Sequence, residues 1–319
     1  MAKTRYEETM EKESLLSDSD ILDIVLEKEQ EGLEAVEDCL DGLINPVIMR
    51  GPPGTGKTEG IKILSQQIGV ESTDYIATEW NENAKDEPTY PYTPGSIKKV
   101  NGALVRGADY APWALAADLY ANRNEGALVL DDNDDILKDT IAVSMLMDAT
   151  EQSSKKTVKY VKANTTHELK MMGVETTFEV NTPIIILSNI DMKLHVDYAQ
   201  EKERNGGRPA NAYIKRWAAL MSRGTYVDLQ MNTPRSVRVF CEEKIRKVNM
   251  LTDSEWLETK FGRSLKKDEA EEVMKWVRFN QSSLALPLDL RTYNKVAGIM
   301  LKRKKDWEKS AKARLLKVV

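Results

Sequence analysis

Short apolar runs alternate along this chain with segments whose apolar residues recur every three or four positions. Such runs are typical of strands buried on both faces of a parallel sheet, and the longer period is typical of helices that bury one face. Strands are predicted at 46–50, 74–78, 127–130, 184–189 and 225–230, and helices at 19–43, 113–120 and 136–150. This alternation predicts an α/β domain with a parallel sheet flanked by helices.

A hairpin and a loop interrupt the alternation. Residues 155–162 alternate between polar and apolar side chains, as a strand does, and are predicted to pair with 176–180. The segment 81–96 contains four prolines and glycines and is predicted to be a loop.

The C-terminal part of the chain is wholly helical in pattern. Amphipathic segments lie near 234–248, 253–259, 267–280 and 289–305. We therefore predict three regions, which are an acidic helical lead-in over 1–45, an α/β nucleotide-binding domain over 46–232 and a small all-helical lid domain over 233–319.

The composition excludes several classes of protein. At 319 residues with 41% apolar content, the chain is long enough for two domains and a sizeable core. No 18-residue apolar run and no signal-peptide core occur, so we expect a cytoplasmic protein without membrane partners, in the host cytoplasm if it is viral. Cys39 and Cys241 are too few for a disulfide scaffold and are expected to be buried, reduced thiols.

Opposite charges collect at the two ends of the chain. Residues 1–45 hold 14 Asp and Glu against 4 Lys and Arg, a balance of −10. Residues 301–319 hold 8 Lys and Arg against 2 Asp and Glu, a balance of +6. Three interpretations of the basic tail remain open: a solvated helix face, a contact with nucleic acid, and a contact with the acidic face of a neighbouring subunit.

A glycine-rich segment follows the first predicted strand and opens a helix-compatible stretch. It consists of Gly51, Pro52, Pro53, Gly54, Thr55, Gly56, Lys57 and Thr58. Small residues let backbone N–H groups approach the phosphates of a nucleotide, the lysine reaches the β- and γ-phosphates, and the threonine hydroxyl ligates Mg²⁺. The segment predicts a phosphate-binding loop with ATP and Mg²⁺ as cofactors.

Acidic residues follow the buried run at 127–130. Asp131 is predicted to hold Mg²⁺, together with Thr58, and Asp132 to polarise the attacking water. A calcium loop starting at Asp131 is excluded, because Ile136 and Ala142 occupy the positions of its required glycine and glutamate.

Asn189 ends another buried strand. Parallel α/β sheets bind their ligands at the carboxyl ends of the strands. We therefore predict that Asn189 holds the attacking water or the γ-phosphate.

In this order, the motifs resemble those of the AAA+ ATPases over about 250 residues, from the helical lead-in to the C-terminal helices. The resemblance implies a P-loop NTPase core in which 51–58 is the phosphate loop. Residues 128–132 would then be the second acidic motif, and Asn189 would be the sensor 1 residue.

The resemblance also implies two arginines. An arginine finger is expected after the next helix, where Ser222 and Arg223 resemble a Ser-Arg motif of the family; Arg216 and Arg208 are the alternatives. Arg291 lies where the family has its sensor 2 arginine, which reaches the γ-phosphate from the lid and couples hydrolysis to lid rotation.

The second acidic residue departs from the family pattern. The usual pair is Asp-Glu, whereas this chain has Asp131 and Asp132, followed by Asp134 and Asp135. The shorter side chain predicts slow activation of water. Such an Asp-Asp pair is similar to that of viral and plasmid AAA+ proteins, and a bacteriophage or plasmid-type branch is therefore expected.

Two functions remain open at this point. In the first, the resemblance implies a homo-oligomeric ring, a hexamer, in which Arg223 completes the neighbouring subunit's site and ATP hydrolysis remodels or translocates a nucleic acid or protein thread. In the second, ATP is a switch for a slow loader or clamp-type adaptor protein on DNA.

Candidate substrate contacts lie in two places. One is Tyr90 and Tyr92 with Lys98 and Lys99 after them, and the other is the basic hairpin at 155–162. Aromatic residues beside lysines suit stacking on bases and also suit gripping a peptide. DNA is the preferred partner, and a protein substrate or adaptor remains the alternative.

Overall fold

A computed structural model describes much of the chain. It covers residues 5–58, 60–61, 64, 73–74, 103–106, 112–123, 127–153, 155–160, 169 and 173–317. The predicted loop at 81–96, residues 75–78 of the second predicted strand, and the candidate contacts Tyr90, Tyr92, Lys98 and Lys99 lie outside these residues.

Six of the described strands form a parallel sheet. They are β1 (Val47–Arg50), β2 (Thr73–Asp74), β3 (Ala103–Arg106), β4 (Ala127–Asp131), β7 (Ile184–Ser188) and β8 (Thr225–Asp228), in the order β2-β3-β4-β7-β1-β8. The two remaining strands, β5 (Thr157–Lys159) and β6 (Thr177–Glu179), form the predicted antiparallel hairpin. The predicted parallel sheet is confirmed, and β3 is a strand that the sequence analysis missed.

Helices precede, connect and follow the strands. Among the first 223 residues, the helices whose bounds the structure describes are α1 (Arg5–Ser14), α2 (Asp18–Leu40), α3 (Pro112–Ala121), α4 (Asp134–Lys138), α5 (Thr140–Ala149), α6 (Met192–Arg204) and α7 (Ala212–Arg223). The C-terminal helices are α8 (Pro234–Lys247), α9 (Glu255–Phe261), α10 (Lys267–Asn280), α11 (Leu290–Arg303) and α12 (Trp307–Leu315), with a 3₁₀ turn at Gln281–Ser283.

The helix predicted over 136–150 is in fact two helices. Asp139 ends α4, and its carboxylate accepts hydrogen bonds from the N–H groups of Ile141 and Ala142 at 2.8 and 2.9 Å. A capping aspartate satisfies N–H groups that have no partner within their own helix. The chain therefore ends one helix and starts the next at a single residue.

Contacts divide the chain into two compact units. One contains Met1–Glu29, Gly51–Lys57 and Leu229–Val319, and the other contains Gln30–Arg50 and Thr58–Asp228. The second unit holds the sheet and its principal core, in which β4 and β7 are buried along their length. Asn45 fixes β1 beside β7, because its side chain donates to the carbonyl of Thr182 and accepts from the N–H of Ile184.

Both cysteines are buried free thiols, as expected. Cys39 lies in α2 of the second unit, where burial raises its thiol pKa to about 11. Cys241 lies in α8 of the first unit, and burial raises its pKa as well. Deprotonation of either thiol would place a charge away from water.

The first unit is organised by a buried arginine. The side chain of Arg238, on α8, is 5% exposed and lies 2.7 Å from the Asp18 carboxylate and 3.4 Å from that of Glu242. Arg235 also binds Asp18, at 2.7 Å. Burial raises the pKa of Asp18, but hydrogen bonds from Arg238 and Arg235 outweigh it and hold the pKa below its usual value. These ion pairs attach the start of α2 to α8.

We expect Arg238→Ala to lower the free energy of unfolding by about 3 kcal/mol, because it leaves the buried Glu242 with one fewer cation. The matched control is Arg246→Ala, whose half-exposed guanidinium lies 3.7 Å from the same carboxylate. The control should lower the free energy by less than about 1 kcal/mol. Urea unfolding measures both, and equal effects would show that burial does not make the ion pairs of Arg238 more stabilising than the half-exposed pair of Arg246.

Candidate functional site

The glycine-rich loop of residues 51–58 closes around its own lysine. The Lys57 ammonium donates to the carbonyls of Gly51 and Pro52 at 2.8 and 2.9 Å, and the residue is 9% exposed. Gly54 and Gly56 have φ values of +67° and +89°, in the left-handed region that favours glycine. The loop is thus a tight turn in which the buried Lys57 ammonium lies beside the backbone carbonyls of Gly51 and Pro52.

The first turn of α11 contacts this loop within the same unit. The N–H of Leu290 donates to the carbonyl of Gly54 at 3.1 Å. Asp289 caps α11 by accepting from the Thr292 N–H at 2.8 Å, and a Cβ on Gly54 would lie 2.7 Å from its side chain. Gly54 is therefore required both by its φ and by the approach of α11.

The two predicted metal ligands lie in direct contact. The Thr58 hydroxyl, in the first helical turn after the loop, donates to the Asp131 carboxylate at the end of β4, at 2.5 Å. Hydroxyl and carboxylate oxygens are ligands that Mg²⁺ accepts in proteins. The part of the chain that the structure describes contains no group of three or more His, Cys, Asp or Glu suited to a metal. Two protein oxygens are fewer than the ligands that an Mg²⁺ ion requires.

Asp132 has an unusual backbone conformation and a fixed carboxylate. Its φ is +52°, and its N–H extends the ladder by donating to the carbonyl of Leu187 at 3.2 Å. The Asn189 side chain donates to the Asp132 carboxylate at 2.8 Å. Asp is one of the few residue types that adopt the left-handed region readily. The backbone therefore favours the short acid here over Glu.

The structure adds a second link, which the sequence analysis missed. The Ser188 hydroxyl donates to the Asp134 carboxylate at 2.7 Å and accepts from the Ile190 N–H at 3.0 Å. Asn133 donates to the carbonyl of Asp131 at 3.2 Å. The signal was present in the sequence, because Ser188 and Asp134 each follow the apolar core of a buried strand.

A further missed pair lies at the ends of β1 and β8. The Arg50 guanidinium donates to the Asp228 carboxylate at 3.0 Å, with both side chains mostly buried. Tyr226 is nearby, and its buried hydroxyl has no hydrogen-bond partner among the described residues. Burial and the charges of Asp191 and Asp228 raise the pKa of Tyr226. This edge of the sheet thus carries an ion pair and a neutral phenol.

The three candidate arginine fingers have different surroundings. The Arg223 guanidinium, at the end of α7, donates to the carbonyl of Met147 in α5. Arg216 donates to the carbonyl of Thr140 in the same helix at 3.0 Å. Arg208 is exposed in the segment before α7. Arg223 and Arg216 contact α5 of their own chain, and a role for either across a subunit interface stays a prediction.

Arg291 lies in the first turn of α11 and is exposed. It follows Leu290 directly, the residue whose N–H binds the glycine-rich loop. The Arg291 guanidinium therefore belongs to the N-terminal end of α11, the end that contacts the glycine-rich loop.

Comparison with known proteins shows a distant similarity to a phage protein. The sequence matches no protein-family model. It is 23% identical over 273 residues to an uncharacterized 36.7 kDa protein from the nrdC–mobD intergenic region of Enterobacteria phage T4. The aligned part covers 85% of this chain and 68% of the phage protein. The similarity is compatible with a bacteriophage protein. None of the described helices has the length and apolarity needed to cross a membrane.

The left-handed conformation of Asp132 can be tested with two substitutions that remove the same carboxylate. Asp132→Ala and Asp132→Gly both delete the bond to Asn189, so they differ only in backbone preference. We expect the glycine variant to be more stable by about 1 kcal/mol, because a left-handed backbone penalises Ala. Urea unfolding of the two variants measures the difference. An alanine variant as stable as the glycine variant would contradict the assigned conformation.

Proposed function

We propose that this protein is an AAA+ ATPase that hydrolyses ATP with Mg²⁺ at the subunit interfaces of a ring-shaped homo-oligomer, to remodel or translocate a nucleic acid. The observation that carries the proposal is the 2.5 Å contact between the Thr58 hydroxyl and the Asp131 carboxylate. These residues are far apart in sequence, and each was predicted as an Mg²⁺ ligand from a different motif.

The glycine-rich loop supports the nucleotide part of the proposal. Lys57 contacts neutral carbonyls of Gly51 and Pro52 in this structure. Phosphate oxygens would give the same ammonium stronger, charge-assisted hydrogen bonds. The positive-φ glycines leave the loop backbone without Cβ atoms at Gly54 and Gly56, as a close approach to phosphate requires.

Thr58 and Asp131 would hold Mg²⁺, whose charge would neutralise the phosphates. Among the nearby acids, Asp132 is the best placed to orient the attacking water, since Asn189 fixes its carboxylate. Asp134 is engaged by Ser188, and the side chain of Asp135 is 96% exposed and bound to Lys138. Asn189 would keep Asp132 in position and contact the water or the γ-phosphate.

The contact between Gly54 and Leu290 supports a coupling of the loop to the C-terminal helices. A shift of the loop on nucleotide binding would act on the first turn of α11, where Arg291 would reach the γ-phosphate. Hydrolysis would release that contact and allow the helices to rotate.

A slow ATP switch for a DNA loader or clamp-type adaptor is the second candidate. The bond between Asn189 and Asp132 favours it, because a short carboxylate held by an amide is a weak activator of water. The two functions differ in turnover. A switch hydrolyses one ATP slowly after each binding event, and DNA does not accelerate this hydrolysis. A remodelling ring hydrolyses ATP repeatedly, and its nucleic acid stimulates the rate.

We expect Lys57→Ala to abolish ATP binding, because it removes the cation of the loop. The matched control is Lys138→Ala, which removes an exposed lysine outside the loop. Calorimetric titration with Mg²⁺–ATP measures affinity, and circular dichroism verifies folding. Unchanged affinity in a folded Lys57→Ala variant would exclude the nucleotide site.

We expect Arg223→Ala to bind ATP and to turn over about 10³-fold more slowly, because a trans-acting arginine stabilises charge that develops in the transition state. Mixing Arg223→Ala with Lys57→Ala subunits should restore part of the ATPase rate, since some interfaces then combine an intact loop with an intact finger. Arg204→Ala, which removes an exposed arginine in the last turn of α6, is the control.

Native mass spectrometry verifies that mixed oligomers form in this experiment. If mixed oligomers form and no ratio recovers activity, Arg223 does not act across the interface. Arg216→Ala, mixed in the same way, then identifies whether the other arginine of α7 has that role.

A further inference from the structure

The C-terminal end of the chain presents a predominantly basic surface, which we name the basic elbow. It consists of exposed residues on the end of α11, the turn that follows and α12, namely Lys302, Arg303, Lys304, Lys305, Lys309, Lys312 and Arg314. Among the described residues, none of the seven forms an ion pair with a carboxylate. By contrast, Arg238, Lys244 and Arg278 of α8 and α10 each bind one at 3.4 Å or less.

Packing holds the basic elbow in place. The Trp307 ring packs against that of Trp276, with centroids 6.3 Å apart, and Ala311 is fully buried. The N–H of Ala285 donates to the carbonyl of Leu315 at 2.8 Å, and that of Lys317 donates to Ser283 at 2.9 Å. A depression of about 460 Å³ at the turn is lined by four of the lysines together with Asp306, Trp307 and Glu308; the lysines are Lys304, Lys305, Lys309 and Lys312.

Helix α2 carries the opposite charge along one side, which we name the acidic stripe. Its exposed residues recur at steps of three or four, namely Asp20, Asp23, Glu27, Glu31, Glu34 and Asp38. The other side of the helix is buried, as at Val25 and Val36. Like charges three or four apart destabilise a helix by about 0.2–0.5 kcal/mol per pair, so a cationic partner would relieve this repulsion.

We propose that the basic elbow of one copy of this chain docks on the acidic stripe of a second copy. The basic elbow and the acidic stripe would be the contacting surfaces of the proposed homo-oligomer, so this inference rests on the proposed function. The two surfaces are complementary in sign, and the described residues of one chain do not pair them with each other. A contact between two different patches of the same chain is heterologous, so it repeats from copy to copy and closes into a ring or extends as a filament.

A second copy fits the basic elbow better than nucleic acid does. The chain has a net charge of −5, and the acidic stripe would repel a polyanion. A second copy brings the carboxylates of the acidic stripe along a helix about 34 Å long. Each exposed ion pair contributes at most about 1 kcal/mol, so the contact needs several of them and should weaken as salt rises.

Reciprocal charge reversal tests the contact. The elbow variant carries Lys304→Glu, Lys305→Glu, Lys309→Glu and Lys312→Glu, and the stripe variant carries Asp23→Lys, Glu27→Lys, Glu34→Lys and Asp38→Lys. Each variant alone should associate at least about tenfold more weakly than the parent. An equimolar mixture should assemble again, because each surface then meets its opposite charge on the other variant.

Sedimentation velocity without nucleotide, in 50 and 500 mM salt, measures association of the full chain. The matched control reverses four other exposed lysines of the C-terminal helices, Lys247, Lys267, Lys275 and Lys295, and should assemble like the parent. Lys57→Ala should also assemble. A parent chain that assembles but hydrolyses no ATP would therefore contradict the proposed function and leave this contact standing.

Three results would overturn the proposal. They are a parent chain that stays monomeric in low salt, single variants that assemble like the parent, and a mixture that fails to recover. Anisotropy of labelled single-stranded and duplex DNA is measured on the same variants. DNA binding that the elbow variant loses while its assembly is unchanged would assign the basic elbow to nucleic acid instead.

Discussion

The parallel pairing of β4 with β7 is the constraint on which the candidate site depends. Its register aligns Asp131 with Leu187. The residues that follow each strand therefore lie side by side at the same edge of the sheet. The N–H of Asp132 then binds the carbonyl of Leu187, and its carboxylate binds Asn189. A shift of one residue in this register would turn each side chain to the opposite face of the sheet. The burial of both strands therefore fixes the geometry of the acidic residues.

Much of the sheet could be predicted from the sequence, because β1, β4 and β7 are almost purely apolar and buried on both faces. Strand β3 was missed, because its apolar run consists of only three residues before Arg106, whereas those of β4 and β7 have four. The break at Asp139 was missed for a different reason. The spacing of apolar residues continues across Asp139, so the pattern predicts one helix. The break arises because the Asp139 carboxylate accepts hydrogen bonds from the first N–H groups of α5, which the sequence pattern does not reveal.

The composition of the site was predictable, whereas its connections were not. Asp131, Asp132 and Asn189 stand out because each follows an apolar run. That Asn189 binds Asp132 and Ser188 binds Asp134 follows from strand order, which a single sequence does not determine. The left-handed backbone of Asp132 explains why Asp is favoured over Glu at this position. The sequence alone showed only that the side chain is one methylene shorter than in the family pattern.

The burial of the two cysteines makes each unit of the chain observable by itself. Cys39 belongs to the unit that contains the sheet, and Cys241 to the unit that contains the C-terminal helices. A thiol reagent reaches a buried, protonated cysteine only when the surrounding structure opens. The alkylation rate of Cys39 therefore reports opening around α2, and that of Cys241 reports opening around α8. The native chain thus carries one intrinsic probe in each unit, and no label has to be introduced to compare their dynamics.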